Sequence, residues 1–383
     1  MAMTIHMLIN CYWGNGISGG DKRSLEFLKR WQDQGHDIII YTTSGYKKLL
    51  DQIGITEFPI ILVDSAETEN TGIIQAYMQR TRNCRRKMHV KAGDILYSPT
   101  DIMPDVLPCF YYKLRFGKKV RWVIVNHHIF ETFYKRPGKL LTNLISNAQQ
   151  RFCLFLAKHF ADCKLTVSTV VYAYMKKHHW DMNKVYLAGN GIDTKLIRES
   201  PVAENGYDAV FLARLNNSKG IFELPEIWKR VNAGLPEAEL ASIGTGPEEN
   251  INRLKAQIKD LGEEKNIKLL GYLDSQEIYG ILKKSKTFLF TSHEEGWGVA
   301  IAEAMACGLP VVAYNLPVYK DVFAGMVREC PLLDVDKMAQ EEIKLLSGED
   351  TRRKLGEKCQ EMICGRYSLD KVAAEEMKLL LGL

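Results

Sequence analysis

The stretch from Thr291 to Val312 reads TSHEEGWGVAIAEAMACGLPVV, and its order of residue types predicts the fold. The preceding KTFLF and the closing PVVAY are short apolar runs typical of buried strands. Between them, VAIAEAMAC is rich in helix-forming alanine and is followed by Gly308 and Pro310, which end a helix. In such a β-loop-α-β unit, the first helical turn points unpaired N–H groups at the loop beyond the strand. The stretch therefore predicts an anion site, with Glu295 and Glu303 on either side of the glycine-rich turn.

The same alternation of apolar runs and helical patterns extends along the whole chain. Such alternation is typical of parallel sheets covered by helices on both faces, which is the α/β class. The predicted strands are IHMLIN, HDIIIYTT, FPIILVD, DILYSP, VRWVIVNHH and KLTVS in the first half, and DAVFLAR, LASIG, IKLLGYL, TFLFTS and LPVVAY in the second.

A turn-rich segment, AGNGIDTKLIRESPVAENGYD, separates the two halves. We place the linker there and predict two doubly wound domains, residues 1–195 and 196–367, which face each other across a cleft.

The charge differs strongly between these halves. Residues 1–195 carry 27 Lys and Arg against 16 Asp and Glu, a net charge of +11, whereas residues 196–383 carry 24 against 30, a net charge of −6. Aromatic residues interleave with the basic ones in QRTRNCRRKMHVK and YYKLRFGKKVRW. A solvated face is the commoner meaning of such runs, but a basic aromatic surface also suits anionic lipid headgroups or a phosphorylated acceptor. No nucleic-acid-binding motif accompanies the charge, so nucleic acid is not expected as a partner.

Several protein classes are disfavoured by the sequence. The nine cysteines form no C-x-x-C pair, so neither a disulfide framework nor a zinc ribbon is expected, and we predict reduced core thiols. No apolar run reaches a membrane-spanning length and no signal peptide is recognisable, which predicts a cytoplasmic protein.

Two basic residues follow the first predicted strand of the second half, in FLARLNNSKG. Arg214 and Lys219 are five residues apart across a loop, so both can reach over the end of the sheet. A guanidinium can donate hydrogen bonds to two phosphate oxygens at once, and an ammonium adds a compact positive charge. Together the two groups suit a diphosphate. The alternative is that Arg214 pairs with a neighbouring carboxylate and Lys219 is merely exposed.

Glycine turns mark further strand ends. Gly244 and Gly246 lie in LASIGTGPEE, where close chain packing explains them as well as ligand binding does. The amino-terminal turn, NCYWGNGISGGDK, lacks the G-x-G-x-x-G spacing, which disfavours a dinucleotide-dependent dehydrogenase, and the chain has no phosphate-binding G-x-x-x-x-G-K-[ST] loop.

Two further features concern catalysis and metals. His127 follows a predicted strand, where ligands bind in this architecture, although a core or turn role is equally common for such a histidine. Asp334 and Asp336 form an Asp-x-Asp pair that could hold a divalent cation. Asp336 is better explained as the N-cap of a helix that begins at Lys337, so no metal is expected.

Taken as a set, these residues resemble the retaining glycosyltransferases of family 4, which have the two-domain GT-B fold. Glu295 and Glu303, separated by seven residues, are similar to that family's E-x7-E motif, and EAMACGLPVV continues it. ARLNNSKG resembles the basic donor loop, IGTGPEENINRL the glycine turn, AGNGID the linker and GGDKRSLEFLKRWQDQG the first turn and helix. The motifs run in the family's order from about Gly19 to Asn315.

The resemblance implies a role for each matching residue. Arg214 and Lys219 would hold the donor diphosphate, Glu303 the ribose, and Glu295 the donor sugar, while His127 would approach that sugar. The further donor-binding positions it implies are Gly19, Gly20, Gly244, Gly246, Leu273, Gly296, Trp297, Gly298 and Val299. It also implies that a carboxy-terminal helix, from about residue 368 to 383, packs back on the first domain.

The implied reaction moves a sugar from a nucleotide diphosphate, most simply a UDP- or GDP-sugar, with retention of configuration and without a cofactor or metal. The acceptor expected for a basic first domain is a lipid-linked or phosphorylated glycan at the inner face of the membrane. Residues 55–112, where an acceptor would be chosen, match nothing specific. The alternatives are a soluble-sugar synthase of the sucrose or trehalose-phosphate type, a non-catalytic sugar-nucleotide-binding subunit and, more weakly, an epimerase.

Overall fold

The computed structural model describes residues 3–12, 19–64, 72–129 and 140–382. Gly14 and Gly16 of the first glycine turn lie outside these residues. The chain divides into two compact units. Unit 1 comprises Met1–Gly189 and Val372–Leu383, and unit 2 comprises Asn190–Lys371.

The described residues of unit 1 form a seven-stranded parallel sheet in the order β3-β2-β1-β4-β5-β6-β7. The strands are β1 Thr4–Ile9, β2 Asp37–Thr42, β3 Ile60–Leu62, β4 Ile95–Ser98, β5 Arg121–Asn126, β6 Cys163–Thr166 and β7 Val185–Leu187. The helices that alternate with them are α1 Gly19–Asp33, α2 Ser44–Gln52, α3 Ile73–Lys87, α4 Met103–Phe116, α5 Leu140–Phe160 and α6 Thr169–Lys177.

Unit 2 repeats this plan with a six-stranded parallel sheet in the order β10-β9-β8-β11-β12-β13. Its strands are β8 Ala209–Leu212, β9 Leu240–Ile243, β10 Ile267–Gly271, β11 Thr287–Phe290, β12 Val311–Tyr314 and β13 Arg328–Cys330. Its helices are α7 Thr194–Glu199, α8 Leu224–Gly234, α9 Glu248–Leu261, α10 Ser275–Lys284, α11 Val299–Ala306, α12 Pro317–Phe323, α13 Val335–Ser347 and α14 Glu349–Tyr367. The last helix, α15 Leu369–Gly382, begins in unit 2 and continues in unit 1.

Both sheets have the strand order of a Rossmann fold, in which the first strand is central and later strands extend the sheet in both directions. The predicted α/β class with two Rossmann-like domains, as in GT-B proteins, is confirmed. Each of the 11 predicted strands coincides with an observed one. The sequence did not predict β7 and β13. Both are three-residue edge strands like β3, but β13 contains Arg328 and Glu329, and β7 lacks the longer apolar run FPIILV that marked β3.

The helix α13 corrects one predicted cap. Its N-cap is Asp334, whose carboxylate accepts a hydrogen bond of 2.9 Å from the Lys337 N–H. Asp336, the predicted cap, lies in the first turn and pairs with Nε of Arg230 at 2.5 Å. The helix therefore begins at Val335, two residues before the predicted start, and the Asp334 carboxylate satisfies one of the unpaired N–H groups of its first turn.

The carboxy-terminal helix is fastened within unit 1 by a buried polar network. The Arg23 guanidinium, on α1, pairs with the Glu376 carboxylate on α15, and both residues are almost inaccessible to solvent. The Tyr97 hydroxyl donates to the other oxygen of Glu376 at 2.5 Å, and the Trp31 indole N–H donates to the carbonyl of Ala373 at 3.1 Å. Because a buried charge without its partner is costly, these bonds hold α15 in one register on α1.

All nine cysteines are free thiols, and six of them are buried, as the sequence predicted for core thiols. No helix among the described residues is both long and apolar enough to cross a bilayer.

Candidate active site

The strand order of unit 2 reverses between β8 and β11. The sheet grows from β8 through β9 to β10 on one side, and from β11 through β12 to β13 on the other. Loops that leave the carboxyl ends of two such strands diverge, and the crevice between them is where ligands bind in open α/β sheets. Arg214 and Lys219 follow β8, and Glu295 follows β11. The structure therefore brings the loops carrying three predicted residues to this point.

The loop after β8 is held in place by hydrogen bonds from both sides. The Asn216 side-chain oxygen accepts from the Lys219 N–H at 3.2 Å, which forms a single tight turn. The Thr291 hydroxyl, just beyond β11, donates to the carbonyl of Gly220 at 2.8 Å. The backbone of this loop is thus tied to the neighbouring strand without any ligand, which fixes the points at which Arg214 and Lys219 leave the main chain.

Lys219 and Glu295 form an ion pair across the switch point. The ammonium Nζ lies 2.5 Å from the Glu295 Oε1, and the two side chains are only 19% and 12% exposed. The Ser292 hydroxyl, 3.4 Å from Nζ, is a second oxygen beside the ammonium. Lys219 is therefore not a free surface lysine, and its charge is fixed at the end of β8.

Arg214 differs from Lys219, because its side chain is exposed. Within the part of the chain that the structure describes, no carboxylate forms an ion pair with its guanidinium. The alternative that Arg214 forms a structural ion pair thus has no support in these residues. Its planar guanidinium is available to bind an anion.

The helix α11 begins directly at this site. Its N-cap is Gly298, at φ +98°, which has no side chain to cap the first-turn N–H groups. Trp297 is 3% exposed, and its ring contacts Phe323 and Tyr367 with centroids 6.0 and 5.1 Å apart. The tryptophan side chain thus belongs to the core of unit 2. Any ligand contact at Gly296 to Val299 is therefore made by the backbone, because the free N–H groups at a helix N-terminus bind anions.

Glu303 occupies a different environment from Glu295. It lies within α11, is 8% exposed and accepts a hydrogen bond of 2.9 Å from the Tyr279 hydroxyl on α10. Burial raises the pKa of this tyrosine, and the adjacent carboxylate raises it further, so the hydroxyl remains a donor. The two glutamates of the motif therefore have separate partners.

The glycine turn after β9 lies against the loop that carries Arg214. A Cβ atom on Gly244 would lie 1.9 Å from the Ala213 carbonyl oxygen, and one on Gly246 would lie 2.1 Å from that of Leu215. Any side chain at either position would push the β8 loop away. Close packing thus explains why both positions are glycine. This packing fixes the backbone of the loop that carries Arg214. Leu273, a predicted donor contact, is partly buried against the core of unit 2.

In unit 1, His127 follows β5 and is half-buried. Its Nε2 lies 3.1 Å from the Pro99 carbonyl oxygen, which can only accept, so Nε2 carries the proton. Burial and the nearby Arg23 cation lower the pKa of His127 to about 4, so the ring is neutral at pH 7 and Nδ1 is a hydrogen-bond acceptor. A Cβ on Gly20 would lie 3.1 Å from Nε2, so the turn of Gly19 and Gly20 lies close against this ring.

Sequence reasoning also missed a buried carboxylate that bonds to Asn126, the residue before this histidine. Asp101, beyond the end of β4, accepts from the Gln150 amide at 3.0 Å and from the Asn126 amide at 3.3 Å. Burial raises the pKa of Asp101 to about 6, although these amides favour its charged form. No spacing in the sequence connects these residues, because they come from three separate elements that meet only in the folded sheet.

Comparisons with known proteins assign the chain to a family. The sequence model of the family described as glycosyl transferases group 1 matches residues 193–362, which is most of unit 2. The phosphatidyl-myo-inositol mannosyltransferase of Propionibacterium freudenreichii is 30% identical over 330 residues, which cover 82% of this chain and 77% of that protein. The chain belongs to the group 1 glycosyl transferases.

Further relatives differ in how much of the chain they match. The N-acetyl-alpha-D-glucosaminyl L-malate synthase of Bacillus anthracis is 24% identical, with 94% of this chain and 92% of that protein covered. The poly(glycerol-phosphate) alpha-glucosyltransferase of Bacillus subtilis is 30% identical over 166 residues, which are 42% of this chain and only 24% of that protein. Among solved structures, Anabaena HepE in complex with UDP and glucose superimposes with a TM-score of 0.76 at 17% identity, with both chains fully covered.

Two more residues contact the candidate site residues of this glycosyl transferase, and the sequence did not indicate either. Ser292 lies beside Lys219, and Tyr279 bonds to Glu303, yet serine and tyrosine are common in loops and helices and carry no spacing signal. In the described ranges, no group of three or more His, Cys, Asp or Glu side chains could hold a metal ion, and Asp334 and Asp336 serve as an N-cap and an ion-pair partner.

Proposed function

We propose that this glycosyl transferase moves a sugar from a nucleotide diphosphate donor to an acceptor with retention of the anomeric configuration, as an enzyme of family 4. One observation carries the proposal. Lys219, Glu295 and the loop of exposed Arg214 meet at the switch point of unit 2, at the start of a helix without a side-chain cap. Two cations and a helix N-terminus suit a diphosphate, and a carboxylate beside them suits sugar hydroxyls.

In the proposed reaction, the bond between the anomeric carbon and the diphosphate breaks, and negative charge develops on the leaving oxygen. Arg214, Lys219 and the first-turn N–H groups of α11 would stabilise that charge without rearrangement, because the β8 loop is already fixed. Losing one such contact costs about 3 kcal/mol of transition-state stabilisation, or roughly a hundredfold in rate. With this cationic charge in place, we propose that no metal ion is needed.

Glu295 would bind the donor sugar and Glu303 the ribose, with the Tyr279 hydroxyl holding the Glu303 carboxylate in position. Among the described residues, no second carboxylate is an obvious nucleophile. We favour attack by an acceptor hydroxyl on the face of the sugar from which the diphosphate leaves, so that the new C–O bond replaces the broken one and the hydroxyl proton passes to the departing phosphate oxygen. The neutral His127, with an unprotonated Nδ1, would accept a hydrogen bond from a hydroxyl of the sugar.

The donor that we propose is a UDP- or GDP-sugar. HepE, with the same fold, was solved with UDP and glucose, which favours UDP for a protein of similar structure. For the acceptor we propose a lipid-linked or phosphorylated glycan at the inner face of the membrane. The names of two relatives support this choice, since one acts on poly(glycerol-phosphate) and another on phosphatidyl-myo-inositol. The basic composition of residues 1–195 suits such anionic acceptors.

A small soluble acceptor is the second candidate, because the malate synthase relative matches nearly the whole chain. That name indicates a small organic anion, which would also suit a basic unit 1. Offering small polyols, hydroxy acids and lipid-linked phosphates side by side would separate the two candidates by the product formed.

The proposal is tested by incubating the protein with UDP- and GDP-sugars and following both free nucleoside diphosphate and the transferred sugar. We expect release of the diphosphate in EDTA, and a product whose anomeric proton coupling matches that of the α-linked donor. An inverted product would remove the retaining mechanism, and release that requires added Mg²⁺ or Mn²⁺ would remove the metal-independent one. A change of the sugar with no nucleotide released would instead indicate an epimerase.

A further inference from the structure

The helix α5 carries a stripe of exposed apolar side chains along its length. Leu141, Ile145, Phe152 and Phe155 recur at intervals of three, four or seven residues, which puts them on one face of the helix. Leu141 is 68% exposed, Phe152 51% and Phe155 57%, whereas the opposite face is buried in the core of unit 1. In all, seven large apolar side chains of this 21-residue helix are exposed: Leu140, Leu141, Leu144, Ile145, Phe152, Phe155 and Phe160.

This density is unusual for a surface helix. Scattered exposed apolar side chains are normal, but a continuous stripe with two phenylalanines marks a surface that meets another apolar phase or partner. The core does not need these side chains, since Cys153, Leu156 and Ala157 already fill the buried face. The stripe is therefore a feature to be explained by something outside unit 1.

The exposed charges on the helices around the stripe are basic, and the carboxylates in the loops after α5 and α6, Asp162 and Asp181, pair with Lys113 and Lys184. The helix α5 contains Arg151 and Lys158 but no aspartate or glutamate. The end of α6 adjoins it, because Lys158 Nζ donates to the His178 carbonyl at 2.8 Å, and Lys176 and Lys177 there are exposed. Across α3, α4, α5 and α6 the single acidic residue is the fully buried Asp105. The exposed surface of these helices is thus apolar and positively charged.

We propose that this face of α5 docks on an anionic lipid bilayer, with Phe152 and Phe155 in the boundary between headgroups and acyl chains. An apolar stripe flanked by basic side chains is the pattern of a helix that lies in the membrane interface. The ammonium and guanidinium groups of α5 and α6 contact lipid phosphates, and each adds to the attraction of an anionic surface. A second copy of this chain fits less well, because two such faces would bring like charges together.

This inference deepens the proposed membrane-bound acceptor, since it names the surface that would hold the enzyme where that acceptor lies. It needs neither donor nor acceptor to be tested. A failure of the sugar-transfer proposal would therefore leave lipid binding intact, and a failure of lipid binding would leave release of nucleotide from the donor intact.

The test is flotation of the full chain with vesicles of phosphatidylglycerol and phosphatidylcholine, compared with vesicles of phosphatidylcholine alone. The variant Phe152→Glu/Phe155→Glu places two charges in the stripe, and Val202→Glu, at a 58% exposed site in unit 2, is the control for a negative charge placed on another exposed apolar site. We expect the wild type and the control to float only with the anionic vesicles, and the double variant to bind at least roughly tenfold more weakly. Raising the salt from about 50 to about 500 mM should weaken binding of the wild type.

Three results would overturn the proposal. One is a wild type that does not bind the anionic vesicles. Another is a double variant that binds them as well as Val202→Glu does. The third is a wild-type dimer, by light scattering, that the double variant converts to a monomer, because the stripe would then be covered by a second copy. Circular dichroism and the thermal midpoint should be unchanged in both variants, since all three sites are exposed.

Discussion

In the proposed site, Glu295 and a bound diphosphate share one ammonium group, that of Lys219. Replacing Glu295 by glutamine keeps the shape of the side chain but removes its charge. We expect Glu295→Gln to strengthen the binding of a nucleoside diphosphate while it weakens sugar transfer. The opposite change, Lys219→Met, should weaken both.

The magnitudes follow from the geometry. Glu295 Oε1 lies 2.5 Å from Nζ, so a phosphate oxygen bound to the same ammonium would lie about 5 Å from the carboxylate. At that distance, and with an effective dielectric constant of about 20 to 40, two negative charges repel by roughly 2 to 3 kcal/mol. Removing one charge should therefore tighten diphosphate binding about 30- to 150-fold. Loss of the charge-assisted bond in Lys219→Met should weaken it by about 1.5 to 3 kcal/mol, or roughly 10- to 150-fold.

Equilibrium dialysis with labelled UDP and GDP would measure these affinities, and the release of nucleotide from the sugar donor would measure transfer. Matched controls are Glu294→Gln, an exposed carboxylate next to Glu295, and Lys229→Met, an exposed lysine on α8. Both should leave affinity and rate unchanged. An unchanged or weaker affinity in Glu295→Gln would refute the reasoning, because the diphosphate would then not lie beside Lys219.

Three further predictions concern stability and site geometry. Glu376→Gln leaves the buried Arg23 charge unpaired and should lower the free energy of unfolding by about 3 to 5 kcal/mol in urea titrations. The double variant Arg23→Met/Glu376→Met should restore much of this loss. A loss below about 1 kcal/mol in Glu376→Gln would show that the pair does not hold α15. Burial raises the pKa of Glu342 to about 7 from an ordinary 4.5, so the folded state holds this proton more tightly than the unfolded chain does. The stabilisation from the protonated Glu342 is therefore complete below pH 4.5, and the free energy of unfolding falls by roughly 3 kcal/mol as the pH rises to 7. Glu342→Gln should abolish this pH dependence of the free energy of unfolding. An unchanged pH dependence would assign it to other groups. Gly246→Ala puts a Cβ 2.1 Å from a carbonyl oxygen of the β8 loop and should reduce sugar transfer at least about tenfold. The control Gly365→Ala, where a Cβ would meet open space, should not reduce it. Equal activity of the two variants would mean that the position of the loop is unimportant.

The sequence predicted the fold well because the strands are apolar runs bounded by turn residues, and each of the 11 long enough to show a pattern was recognised. The strands β7 and β13 were not recognised, since neither lies in an apolar run as long as the FPIILV that marked the equally short β3. The cap of α13 was misplaced because Asp334 and Asp336 are equally good caps by type, and the pairing of Asp336 with Arg230, which lies 106 residues away, is not visible in the sequence.

The candidate site was predictable only where residues lie close in sequence or in a known order. Lys219 and Glu295 are 76 residues apart, and the resemblance to a family, rather than any spacing, suggested that they share a site. Tyr279 and Asp101 were missed because their partners come from distant elements. Trp297 was expected at the donor through the backbone of Gly296 to Val299, and nothing in the sequence indicated that its side chain packs in the core against Phe323 and Tyr367.

The central claim is that unit 2 binds a sugar nucleotide by its phosphates with fixed cations and a helix N-terminus. Calorimetric titration of UDP, GDP, ADP and their sugar conjugates into the protein in EDTA tests it most directly. We predict binding of at least one nucleotide family with a Kd of roughly 1 µM to 1 mM, and its loss in Arg214→Ala. No heat with any of these ligands, or the same affinity in Arg214→Ala, would contradict the account.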